Sequence, residues 1–518
     1  MPPKAAARND RTHANEVGPA ESPIISAAST DFVWLTPVDS YRRAATISVL
    51  PDNILLEIFC LYRDYDQPYR EDTHPVWGWY LLVHICRRWR QVVFASPLRL
   101  DLRIFSTSRN LVGKNLCIWP ALPIIVDFDF HSNRRHGNNA SSEDNIIAAL
   151  EHADRVCEVG LCATCSELEK FTAVMQAPFP MLKSLHIWSG NAQVLPTEFL
   201  GGSAPCLQRI HLDGIPFPAL PTLLLSTTDL RTLYLGNIPA TGYISPEAMV
   251  VGLAALPRLE SFVIGFQLAT SRPDRMHPPP VTRTVLPALT TFEFQGASDY
   301  LEGLIARIDA PQLKRIYIRY LNQLVDLRIA QLPLFINRSV GPKLTQFRNA
   351  QVAFSSDQVT FYTYCHKNNA SPDELDVVTA VLCEGIDWQV SHLTQVLSQF
   401  SATLPNMVHL KLNARLEEDS QLEDTDNVEW LHLLHQVPTV QTLHVSNSLA
   451  GKVALALEGI AWETAAETPP ESLDLIYLAD QPASSIENFV AARRLSGRPV
   501  TVIDTIGEFD ERVGDVSE

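Results

Sequence analysis

The sequence predicts a mixed α/β repeat protein, a small helical module near the start followed by a long stack of strand-and-connector units. Three observations predict it: an apolar phrase that recurs along the chain, a short stretch of helical periodicity ahead of it, and a composition suited to many short elements. The 518 residues are 46% hydrophobic and 19% charged, against ~25% charged in an average soluble chain, which excludes wholesale disorder. Pro, at 36 residues, exceeds a usual ~5%, and Gly, at 22, falls below a usual ~7%. That balance favours punctuated elements and disfavours glycine loops that cradle phosphate. Lys plus Arg total 41 and Asp plus Glu 58, so the net charge is 41 − 58 = −17. Such a field repels nucleic-acid backbones and anionic lipid, so neither nucleic acid nor membrane is expected as the main partner.

The nine cysteines are odd in number and scattered, and the first residues, MPPKAAARNDRTHANEVGPAES, lack an apolar signal core. A reducing compartment is expected, intracellular and cytoplasmic and/or nuclear. Residues 1–45 read as a disordered tail, because they carry no apolar periodicity to offset ordering entropy. Asp10, Glu16 and Glu21 interrupt the basic face that a mitochondrial presequence would need.

Residues 46–100 form the helical module. Pro51 and Asp52 suit a helix start, and Ile54, Leu55, Ile58, Phe59 and Tyr62 follow at helical spacing. After a polar loop over 63–79, Leu81, Leu82, Ile85, Cys86, Trp89, Val92 and Val93 line one face of a second helix. Leu98, Leu100 and Leu102 then alternate with charged residues, as in a half-buried strand. Next come an expected strand over 124–130, a helix capped by Ser142, a strand over 155–161, and a helix over 167–176 behind a Ser166/Glu169 capping box.

The recurrent phrase is a Pro or Thr, two residues to Leu, then L-x-x-L-x-L. It occurs at Leu182/Leu185/Ile187, Leu207/Ile210/Leu212, Leu230/Leu233/Leu235, Leu259/Phe262/Ile264, Leu289/Phe292/Phe294, Leu313/Ile316/Ile318, a weaker Leu344/Phe347, Met407/Leu410/Leu412 and Val440/Leu443/Val445. The spacings between first anchors are 25, 23, 29, 30, 24, 31, 63 and 33 residues, and the longest interval is expected to hide a degenerate unit around 376–388. A unit of one strand plus a connector cannot bury its own apolar face, so the units must stack. This is leucine-rich repeat logic, and the expectation over 101–500 is an irregular leucine-rich repeat solenoid, a horseshoe, followed by an acidic C-terminal tail over 501–518. The usual Asn or Cys after the last Leu is missing, with Gly190, Ile215 and Ile238 in its place.

In stacked strands the side chains between the leucines share one face. His186, Trp188, Arg209, His211, Tyr234, Arg315, Tyr317 and Arg319 are therefore candidates for a protein-substrate surface, aromatics and arginines being the usual hot spots, beside the plainer reading of a solvent-facing sheet. Leu50, Pro51, Ile54, Leu55, Ile58 and Phe59 are candidates for docking a partner helix, beside the plainer reading of a hairpin core; Trp89 is read as core. Cys157-x4-Cys162-x2-Cys165 copies an iron-sulfur spacing, but Cys157 sits in an alternating strand and no nearby fourth cysteine is clustered with it. His432 and His435 have no third ligand in view. The acidic run over 417–429 reads as a solvated loop. No G-x-G-x-x-G, P-loop or G-x-S-x-G occurs, so no catalytic centre, cofactor or metal is expected.

Leu50-Pro51-x-x-Ile54-Leu55-x-x-Ile58-Phe59, with Val83-His84-Ile85-Cys86-Arg87-Arg88-Trp89-Arg90 behind it, resembles an F-box, the pattern L-P-x-x-x-L-x-x-I-F followed by V-C-x-x-W. Ala95-Ser96-Pro97, Ile118-Trp119-Pro120, Met175-Gln176-Ala177-Pro178, Asp387-Trp388-Gln389 and Phe489-Val490-Ala491-Ala492-Arg493-Arg494 extend the likeness to one fungal family of F-box proteins with repeats. The longer loop between the helices departs from the pattern. The resemblance implies a non-catalytic receptor of a Skp/cullin/F-box ubiquitin ligase, its F-box gripping the Skp adaptor, and through it a cullin, while the repeats present an unidentified protein substrate. The alternative is a repeat scaffold that acts outside a ligase.

Overall fold

The structure is a computed structural model that describes residues 47–65, 78–97, 100, 102–107, 116, 121–129, 140–190, 193–268, 282–321, 329–340, 348–364, 376–382, 386–400, 407–414, 427–460, 472–478, 486–495 and 497–504. The tail over 1–45, Leu98, Leu344, Phe347 and most of the acidic runs over 417–429 and 501–518 lie outside them. The chain divides into two compact units, Met1–Leu82 and Val83–Glu518, a division that falls inside the stretch read from sequence as one module.

The first unit holds α1 (Asp52–Tyr65). The carbonyl of Pro51 accepts from the amides of Ile54 and Leu55, both at 3.1 Å, so Pro51 sits just ahead of the first turn, where its missing N–H costs nothing. The second expected helix is two: α2 (Gly78–Ile85), which crosses the division, and α3 (Arg87–Ala95). Cys86 separates them, extended at φ −155°, and its Sγ accepts from Trp89 N at 3.4 Å. The apolar stripe runs through a side-chain cap, which periodicity alone cannot register. Trp89, Val92 and Val93 are buried, as the core reading of Trp89 requires.

The second unit is one large sheet. Its strands are β1 (Ile104–Thr107), β2 (Ile124–Asp129), β3 (Val156–Cys162), β4 (Ser184–Trp188), β5 (Arg209–Asp213), β6 (Thr232–Ile238), β7 (Ser261–Phe266), β9 (Thr291–Gly296), β11 (Arg315–Leu321), β12 (Asn349–Phe354), β13 (Gln358–Tyr364), β14 (Asp376–Leu382), β15 (His409–Ala414), β16 (Thr442–Val445), β17 (Leu475–Leu478) and β18 (Thr501–Asp504). The short β8 (Thr284–Val285) and β10 (Ile308–Asp309) pair separately. Helices cover one face: α4 (Ala140–Leu150), α5 (Cys165–Val174), α6 (Leu220–Leu224), α7 (Pro246–Leu253), α8 (Ser298–Ile305), α9 (Gln331–Val340), α10 (Ile386–Phe400), α11 (Asn427–His435), α12 (Asn447–Ile460) and α13 (Glu487–Leu495).

Each part of the repeated phrase has a physical task. The Pro or Thr is the second residue of a turn whose closing amide belongs to the first anchor: Leu207 N donates to Ala204 O, Leu230 N to Thr227 O, Leu259 N to Leu256 O, Leu289 N to Leu286 O and Leu313 N to Ala310 O, all at 3.1–3.3 Å. Proline suits that turn position, which accounts for much of the proline excess. The residue after the anchor offers its carbonyl to two amides of the next repeat. Lys183 O accepts from Gln208 N and Arg209 N, Gln208 O from Arg231 N and Thr232 N, and Gln441 O from Asp474 N and Leu475 N, at 2.8–3.1 Å. The last two leucines enter the strand and point to the helices: Leu185, Ile187, Ile210, Leu212, Leu233, Leu235, Phe262 and Ile264 are buried. Ile215 and Ile238, in the place of the consensus Asn, are buried too.

Several expectations are corrected. Leu100 and Leu102 are buried but belong to turns, their amides bonded to Ser96 O and Pro97 O, and the first strand begins at Ile104. Helix α4 starts at Ala140, so Ser142 lies inside it. The capping box of α5 is Thr164/Glu167, with Thr164 N and Oγ1 both donating to Glu167 Oε2 at 2.8 Å, and the helix accordingly starts at Cys165, two residues ahead of the expected start at 167. A strand, β18, begins where the acidic tail was expected. The long interval does hide a unit, β14 with α10, but out of order: the sheet runs β11-β14-β13-β12-β15. β12, β13 and β14 form an antiparallel meander whose last strand pairs parallel with β11 and whose first pairs parallel with β15, so among the described strands of the sheet only β13 runs against the rest.

Candidate functional site

Strand alternation divides the sheet into a face beneath the helices and an open face. All eight candidate residues of the repeats lie on the open face. The register aligns them in rows across the strands. One row runs Asp127, Gly160, His186, His211, Tyr234, Val263, Glu293 and Tyr317. The next runs Asp129, Cys162, Trp188, Asp213 and Gly236. Arg209 and Arg315 start their strands on the same face, in the row of Ser184, Thr232, Ser261 and Thr291.

His211 stacks on Tyr234, and His186 lies tilted against His211 at 45°. The imidazole centroids are 4.1 Å apart, and His211 lies 3.8 Å from the Tyr234 ring at 9°. Trp188 is 36% exposed beside them. Burial pushes both imidazoles below the ordinary histidine value, His211 to about 4, with the His186 ring acting in the same direction and the Asp213 carboxylate opposing it. The pair is therefore uncharged at neutral pH. Burial pushes the Tyr234 hydroxyl up, and the Asp213 and Glu293 carboxylates add to the shift. Asp213 Oδ1 accepts from Asn237 Nδ2 at 2.7 Å.

The second cluster lies on β9 and β11. Arg319 Nη2 donates to Tyr317 Oη at 2.8 Å, Nη1 to Gln295 Oε1 at 3.4 Å, and its Cζ is 5.5 Å from the Tyr317 ring centroid. Burial pushes the Glu293 carboxyl up, and Arg315 pulls it down. A second stack, His444 over Tyr477 at 4.2 Å and 2°, continues the open face on β16 and β17. Glu293 and His444 occupy the central position of phrases visible in the sequence and could have been found by extending the same rule. Tyr477 holds the same central position in a further copy of the phrase, Leu473/Ile476/Leu478, which the same rule would also have found. Asp213 stands in the row of Trp188, two residues on from His211, so the same alternation reaches it, whereas Asn237 follows the phrase, where no periodicity flags it.

On α1 the six motif residues separate. Leu55 and Phe59 are buried, which corrects their assignment to a docking surface, because the helix turns that stripe into the protein. Pro51 is exposed, Leu50 half-buried, and Ile54 and Ile58 are 41% and 38% exposed. With Leu61 and Tyr62 they form an apolar stripe at i, i+4, i+7 and i+8 that meets solvent.

Cys157 is buried, with Sγ 3.4 Å from Ile124 O, and Cys162 and Cys165 are half-buried. His432 and His435 are exposed on α11. Among the described residues no cluster of three or more His, Cys, Asp or Glu side chains could hold a metal, and no helix is long and apolar enough to cross a membrane.

No family model matches the chain, and no curated protein matches it. Among solved structures it is similar to the crystal structure of the leucine-rich repeat-containing protein LegL7 from Legionella pneumophila, at 14% identity over 70% of this chain and 97% of that one, with a TM-score of 0.26. The α/β repeat architecture accordingly rests on this chain's own strand order and hydrogen bonds.

Proposed function

We propose that the chain is a non-catalytic recognition subunit, whose open repeat face holds a protein substrate while its F-box-like helices hold a Skp-type adaptor and, through it, a cullin ligase. Ubiquitin transfer would then be promoted by proximity rather than by chemistry on this chain. The observation that carries the reading is the open face, where the rings of His186, His211 and Tyr234 from successive repeats stand in register, with Trp188 and Arg209 on the same face. Such side chains dominate binding energy at protein interfaces. The exposed stripe Ile54, Ile58, Leu61 and Tyr62 supports the second half, since an amphipathic helix with an uncovered apolar face suits groove docking. A cytoplasmic or nuclear location follows from that partner.

The test is co-purification of the full chain with the Skp adaptor, beside a variant carrying Ile54→Asp and Ile58→Asp. A stoichiometric complex that the variant loses, with its unfolding midpoint unchanged, supports the ligase reading. Absence of a complex with the unaltered chain would replace it with a repeat scaffold acting outside a ligase.

A further inference from the structure

We infer that the open face of β4, β5 and β6 is a recognition site for an arginine side chain of the protein that binds there. The inference rests on the substrate-face reading and names what that face selects.

The row geometry builds an acidic, ring-lined spot. Gly160 stands between Asp127 and His186 in the central row, and a Cβ placed on it would lie 3.3 Å from Asp127 Oδ1. The Asp127 carboxylate therefore leans across the missing side chain. At the other end Gly236 admits the Tyr234 ring, which would lie 2.6 Å from a Cβ there. Between them are the two imidazoles, without charge at neutral pH. In the adjoining row Trp188 is the register partner of Asp213, whose carboxylate Asn237 fixes from the left-handed conformation at φ 47°. A carboxylate held in place beside a half-exposed indole and a stack of neutral rings is the surrounding a guanidinium needs: a face to lie on and an acceptor for its fork.

Charge on these strands points the same way. Among the described residues the open face from β2 to β5 carries four carboxylates, Asp127, Asp129, Glu158 and Asp213, against Arg209 on β5 and Arg103 just ahead of β1, the latter bridged to Glu158. Four minus two leaves two negative charges, on a chain of net charge −17. Lysine would gain from the charge but not from planar stacking, so arginine is favoured. The β9–β11 cluster, with Arg315 and Arg319, has the opposite character and would select acidic residues.

The test uses the full chain as bait for displayed random peptides, counter-selected on a variant carrying Trp188→Ala and Tyr234→Ala. The expected result is enrichment of arginine at one position among peptides that bind only the unaltered face. Replacing that arginine by citrulline, or Asp213→Asn in the protein, should each weaken binding about tenfold, and the two together no more than either alone. Face-dependent peptides without arginine enrichment would overturn the arginine site and leave the substrate face standing. Enrichment of Asp or Glu would move the contact to Arg315 and Arg319 and overturn it as well. If no peptide depends on the face, both readings fall.

Discussion

Glu302 sits on α8, 6% exposed, and accepts from the amides of Gln331 at 2.5 Å and Leu332 at 3.1 Å. It thus caps α9 of the next repeat from outside, where the free amides of a helix start favour an acidic group. Burial nevertheless raises its pKa from 4.5 to about 7, against the pull of those two amides. In the folded chain the proton is retained to higher pH than in the unfolded one, so the stability linked to it is complete below pH 4.5 and is lost as pH rises through about 7. The upper bound is about 3 kcal/mol. His211 has the opposite slope. Its folded value of about 4 lies below 6.5, so its contribution is present above pH 6.5 and is lost as pH falls towards 4, about 1 kcal/mol once solvent screening is allowed for. The unaltered chain mixes the two slopes. Relative to it, Glu302→Gln should gain stability between pH 5 and 7.5, and His211→Gln should lose less on acidification. Urea unfolding across that range checks both, and parallel curves for Glu302→Gln and the unaltered chain would disprove the Glu302 linkage.

At the scale of elements, α1 carries two apolar stripes that the sequence cannot tell apart. Leu55 and Phe59 repeat at i, i+4 exactly as Ile54 and Ile58 do, offset by one residue, and only the tertiary packing decides which stripe is covered. Their substitutions should therefore diverge. Phe59→Ala should cost about 3–5 kcal/mol by leaving a cavity, whereas Ile58→Ala should cost under about 1 kcal/mol. Equal losses in thermal unfolding would mean that Ile58 is covered in the free chain. The α2/α3 break at Cys86 and the shift of the α5 cap to Thr164 have a common cause: side-chain caps are local hydrogen bonds, and they override an apolar period that continues on both sides.

Across the whole molecule, stability is close to one-dimensional, since each repeat contacts its neighbours through a carbonyl shared by two amides and through buried leucines. The β12–β14 meander is the place where that order is broken. Gln389 on α10 donates to Ser355 O at 2.8 Å, and Ser355 N and Oγ donate to Gln358 O at the β12–β13 turn. Gln389→Ala should cost about 1–2 kcal/mol. Hydrogen exchange should then show β12 and β13 opening before β4 to β7, and unchanged protection in β13 would show that Gln389 does not hold the meander.

The sequence alone determined the repeat. Turn, anchor and strand are local, each fixed by the steric preference of proline or the period of the leucines, so β4 to β7, β9, β11, β15 and β16 were legible, and with them the eight open-face side chains. It also placed α1, because helical periodicity is local. Tertiary structure alone decided what depends on distant partners. The meander inverts the strand order because β14 finds its pairing edge on β11, more than fifty residues earlier in the chain. Asp213 enters the site because Asn237, one repeat on, holds its carboxylate. Leu55 and Phe59 left the docking surface because burial is settled by what packs over a stripe, and a period has no information about that.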